Sequence, residues 1–83
     1  MTDRMKRNAA LYMLITIVDQ TDGNVIVGNG EVRRVFNDDN DIVTIEYLDG
    51  STDLAANAEY DVLNSIILHL RTQDNERKQV QNT

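Results

Sequence analysis

The sequence predicts an α+β fold: a three-stranded antiparallel β-meander followed by one C-terminal α-helix packed on a sheet face (β-β-β-α), assembled as a homodimer. Three observations lead there. Blocks rich in β-branched and large apolar residues occupy 11–18, 25–36 and 42–48. Clusters of Gly, Asn and Asp separate them. After residue 57 the apolar residues change to the i, i+3, i+4, i+7 spacing of one helix face.

The elements follow in order. Residues 1–8 read as loose or weakly helical. "LYMLITIV", 11–18, favours a pleated surface and reads as the first strand. "DQTDGN" is a turn, since Gly23 and Asn24 tolerate positive φ and the Asp side chains bond nearby N–H groups. "VIVGNGEVRRVF", 25–36, reads as the second strand, bent or bulged at Gly28-Asn29-Gly30, with a separate turn there as the alternative. "NDDND" turns the chain into the third strand, 42–48, which Asp49-Gly50 closes. Asn57 or Asp53 is placed to cap a helix over 57–71, with Glu59 and Asp61 in the first turn, where the helix dipole favours negative charge. Leu63, Ile66, Ile67 and Leu70 form its apolar stripe. The polar stretch 72–83 reads as a flexible tail. The whole chain, 1–83, is thus one domain with a folded core over 11–71.

The dimer follows from the faces of the first strand. Leu11, Met13, Ile15 and Ile17 point one way, and Tyr12, Leu14, Thr16 and Val18 the other. One helix covers one face, so either the N-terminal segment folds back over Tyr12, Leu14 and Val18 or a second copy or partner chain covers them, and a homodimer is the expectation.

Composition limits the chemistry. A chain of 83 residues buries only about 60–65% of its unfolded surface, so the core is thin. There is no cysteine, which excludes disulfides and thiolate metal sites and fits a reducing, cytoplasmic compartment. The basic start and the apolar run from Ala9 to Val18 imitate a signal peptide, but no small-x-small cleavage site follows. Ten residues are also too few to span a bilayer, which takes about twenty. The expectation is a soluble, unprocessed protein without membrane contact.

Catalytic residues are not expected. His69, the single histidine, stands beside the apolar stripe, and Ser51 and Ser65 have no evident base. "NDDND" fails as an EF-hand loop: from Asp38 the fifth position is Ile42, and from Asp39 it is Val43. "GNGEV" lacks both the G-x-G-x-x-G pattern and a Walker lysine. No metal or cofactor is expected. Arg33 and Arg34, adjacent on a strand, are expected to face opposite ways and to balance carboxylates on neighbouring strands.

What remains is charge. Net charge is −6, distributed as +2 over residues 1–7, −9 over 19–61 and +1 over 62–83. Residues 35–54 hold six carboxylates and no lysine or arginine. Asp19, Asp22, Asp38, Asp39, Asp41, Glu46, Asp49 and Asp53 crowd the turns and the third strand. Such a body repels nucleic acid and anionic membrane and attracts basic partners. Carboxylates two residues apart on a strand face stand about 6.5–7 Å apart, sparser than the one charge per about 1.7 Å of duplex DNA. In size and composition the chain resembles small, acidic, cysteine-free accessory proteins of phages and mobile elements. That resemblance implies a non-enzymatic inhibitor occupying a basic nucleic-acid-binding surface of a host protein, in some cases by imitating DNA, without binding nucleic acid itself. The alternative is a structural or assembly protein that binds a partner through an apolar sheet face.

Overall fold

The computed structural model describes residues 2–81, with side chains through Gln73. Its elements run α1 (Asp3–Gln20), β1 (Asn24–Ile26), β2 (Val32–Asn37), β3 (Val43–Tyr47), β4 (Thr52–Leu54), a 3-10 turn (Ala55–Asn57) and α2 (Tyr60–Gln81). The four strands form one antiparallel sheet in the order β1-β2-β3-β4, between an N-terminal and a C-terminal helix.

This corrects the expected β-β-β-α arrangement at its first element. Residues 11–18 are helical. The helix starts upstream, where the Thr2 side chain accepts the Met5 N–H at 3.2 Å and Asp3 occupies the first turn. Residues 3–14 are mostly good helix formers, and they carry the β-branched run Ile15–Val18 along with them. Ala10, Leu14 and Val18, spaced four apart, form the buried stripe. At the far end the Thr21 hydroxyl donates to the Ile17 and Val18 carbonyls, and the Gly23 N–H donates to the Val18 carbonyl at 2.9 Å. Gly23 does so at φ +77°, a conformation that glycine adopts without a Cβ penalty.

The expected second strand is two strands. Gly28 and Gly30 both take positive φ, and Asn29 Oδ1 accepts the N–H groups of Glu31 and Val32 at 3.0 and 2.8 Å. That side-chain bridge makes a full turn instead of a bend. A bulge does occur, but between Val32 and Arg34. The third strand matches its expected position to within a residue at each end. β4 has no counterpart among the expected elements. Asp53 lies within it and Asn57 in the 3-10 turn, so α2 begins later than either proposed cap. Helical backbone continues through the polar stretch to Gln81, and residues 82 and 83 of the expected flexible tail lie outside the described residues.

One hydrophobic cluster joins all layers. Leu14 and Val18 of α1, Val32 and Val35 of β2, Ile45 of β3, and Leu63, Ile66 and Ile67 of α2 are buried together, with Leu70 partly buried against them. The expected stripe of α2 is therefore in the core, but it packs along a helix where a strand was expected. Val25, Val35 and Ile45 lie abreast on the core side of the sheet. Ile26, Arg34, Glu46 and Thr52 lie abreast on the other side, where Ile26 is exposed. Among the described residues no helix is long and apolar enough to cross a membrane.

Candidate partner-binding surface

The meander sorts the eight singled-out carboxylates into different settings. Asn24 of β1 pairs with Phe36 near the end of β2, and the Asn37 N–H donates to the Gly23 carbonyl at 2.8 Å. The α1–β1 turn and the β2–β3 turn therefore share one end of the sheet. Asp19, Asp22, Asp38, Asp39 and Asp41 converge there. Asn37 Nδ2 links the two segments, reaching Asp19 Oδ1 at 3.5 Å. Asp38 shapes its turn: its Oδ1 accepts the N–H groups of Asn40 and Ile42 at 2.8 and 3.0 Å. Asp22 and Asp41 take left-handed conformations at φ 58° and 64°, which short polar side chains tolerate. Asp19, Asp22, Asp39 and Asp41 are exposed.

The other three do not join them. Asp49 sits in the β3–β4 turn, at the opposite end of the sheet. Its Oδ1 takes both the hydroxyl of Ser51, at 2.6 Å, and its N–H, at 2.9 Å. The Ser51 hydroxyl first, and then the N–H, holds the Asp49 carboxyl below its ordinary range. Asp53, on edge strand β4, accepts the Leu54 N–H at 2.8 Å. Glu46 is neutralised: Oε2 lies 3.4 Å from Arg33 Nε, and Oε1 lies 3.1 Å from Arg34 Nε.

That clamp corrects the expectation that the two arginines face apart. The bulge between Val32 and Arg34 breaks the two-residue alternation and turns both guanidiniums onto one carboxylate. The guanidinium of Arg34 also stands 4.1 Å over the Phe36 ring and donates to Asn24 Oδ1. The compensating role expected for these arginines is present, on one acceptor.

The apolar residues proposed for a dimer or partner surface are separated as well. Leu14 and Val18 are fully buried, whereas Tyr12 is 71% exposed. They do not share a free surface, because a helix places residues two apart on opposite sides. A groove of about 630 Å³ lies elsewhere, between α1, β1 and α2, floored by Ile17, Val25 and Leu70. Nothing in the linear sequence marks it, because three distant segments build it. His69 is partly buried, 2.9 Å from Gln73 Nε2. Among the described residues no group of three or more His, Cys, Asp or Glu is placed to hold a metal ion. Comparison with protein-family models, with curated proteins and with solved structures finds no match for this chain.

Proposed function

We propose that this chain is a non-enzymatic cytoplasmic binding module that engages a basic protein through the acidic end of its sheet and competes there with nucleic acid. The observation that supports this reading is the convergence of Asp19 from the end of α1, and of Asp22, Asp38, Asp39 and Asp41 from two turns, onto one end of the fold. β1, β2 and β3 are neighbours, so the two turns fall within about 10 Å. Duplex DNA carries about six charges over that length. The five carboxylates are brought to this end from the close of α1 and from two turns, and are not strung along one strand. Residues 8–32 and 35–70 contain no lysine or arginine, and Arg33 and Arg34 between them are engaged by Glu46.

The test is competition. Proteins retained from cell lysate by the immobilised chain, and eluted by a salt gradient, are challenged with labelled duplex DNA. The chain should displace the DNA, with steep loss of binding as salt rises. Asp38→Asn, Asp39→Asn and Asp41→Asn together should displace it poorly while unfolding near the wild-type temperature. The Asp38→Asn change keeps a side-chain carbonyl as the acceptor that the turn needs, and exposed acids contribute little stability. A retained protein that binds DNA and this chain simultaneously, or a triple variant that competes undiminished, overturns the proposal.

A further inference from the structure

The two edges of the sheet are treated differently. On β4, the Tyr47 N–H bonds to the Ser51 carbonyl, so ladder bonds fall at residues 51 and 53 and the Leu54 N–H points away from the sheet. The Asp53 carboxylate takes that N–H at 2.8 Å, which places a charge on this edge, although the N–H and C=O of Thr52 also point outward. On β1, the bonds Asn37 N–H to Gly23 and Val27 N–H to Arg33 place Gly23, Val25 and Val27 in the ladder. The N–H and C=O of Ile26 and the C=O of Asn24 therefore point outward. Among the described residues no hydrogen bond takes them. The strand is Asn-Val-Ile, with no charge, proline or bulge to blunt it. Ile26 is 62% exposed.

We propose that this edge is a homodimer interface, in which β1 of a second copy adds antiparallel and joins two sheets into one of eight strands. The outward groups are self-complementary. With Val25 facing Val25 of the second copy across a two-fold axis, the Ile26 N–H of each copy meets the Asn24 C=O of the other. The apolar row Val25, Val35, Ile45 then continues into the same row of the second copy. Charge permits the approach. The groove flanking β1 is lined by Met13, Ile17, Leu70 and Arg71 among others, and among the described residues by no carboxylate, although each chain carries −6. Antiparallel pairing sends the two acidic ends to opposite poles, so the dimer presents two separate acidic sites.

Sedimentation equilibrium of the full chain, from micromolar to submillimolar concentration at physiological salt, tests this. The mass should rise from one chain, 9.4 kDa, toward two. Ile26→Pro removes the outward N–H without touching a ladder bond to β2, and should weaken association about tenfold or more while far-UV circular dichroism stays unchanged. Should the proline disturb the fold, Ile26→Lys, which charges the edge and leaves the backbone intact, should give the same loss. The Asp38, Asp39, Asp41 triple variant should dimerise undiminished, which separates this interface from the acidic site. A chain that stays monomeric at submillimolar concentration, or folded Ile26 variants that dimerise as well as wild type, overturns it.

Discussion

Leu14 and Tyr12 decide between the two readings of residues 11–18. On a strand they share a face and should respond alike. In α1, Leu14 is fully buried among Val18, Val35, Ile45 and Leu63, and Tyr12 is 71% exposed. Leu14→Ala removes the equivalent of about three buried methylene groups, or about 2.4 kcal/mol at about 0.8 kcal/mol each. The cavity left behind raises the cost to about 3–5 kcal/mol. Tyr12→Ala touches no core contact and should change stability by no more than about 0.5 kcal/mol. For a domain of this size each kcal/mol moves the midpoint by about 4–8 °C. Leu14→Ala should therefore melt at least about 12 °C below wild type or fail to fold, and Tyr12→Ala should be nearly indistinguishable from it. Urea titration, fitted with a common m-value, is the assay. Equal losses in the two variants, or a Leu14→Ala cost below about 1 kcal/mol, would refute the helical placement.

Other outcomes follow from the same contacts. Glu46→Gln leaves two guanidiniums side by side without their carboxylate, but all three groups are partly exposed, so the cost should be no more than about 1 kcal/mol and should shrink in high salt. Its thermal midpoint at two salt concentrations checks this. The Asp49 carboxyl is held below its ordinary range by the Ser51 hydroxyl and N–H, so it contributes stability above that range, lost as pH falls through its folded value. Ser51→Ala should flatten that acid limb of the midpoint-versus-pH curve. Tyr47 has the opposite sign. Burial, and then the charges of Asp53 and Glu31, push its hydroxyl up, so its contribution is present below the ordinary tyrosine range and is lost as pH rises through the folded value. Tyr47→Phe should flatten the alkaline limb.

The acidic turns, the third strand and the apolar stripe of α2 are legible in the sequence because each is a local signal. "NDDND" must turn, 42–48 lies between turns, and Leu63, Ile66 and Ile67 repeat at helical spacing. α1 is misread because Ile15 to Val18 carry strong β propensity, and the start that outweighs them, Thr2 with Asp3, lies a dozen residues upstream. The turn at Gly28 to Gly30 depends on Asn29 bridging to Glu31 and Val32, a bond the spelling "GNG" permits but does not impose. β4 has three residues and little apolar character, too short for a periodicity argument. The site fails for a different reason. Charge counting finds all eight acids, but whether they form one surface depends on topology. The meander gathers Asp19 and Asp22 to Asp38, Asp39 and Asp41, sends Asp49 to the far end, and a single bulge cancels Glu46.

The most direct test of the acidic end uses a cation with no shape of its own. A nine-arginine peptide, titrated into isotopically labelled chain and followed by amide NMR, reports where the field concentrates. The shifts should cluster at Asp19, Asp22, Asp38, Asp39 and Asp41 and collapse as salt is raised. Equal shifts at Asp49 and Asp53, or a response spread evenly over the exposed acids, would contradict a single converged site.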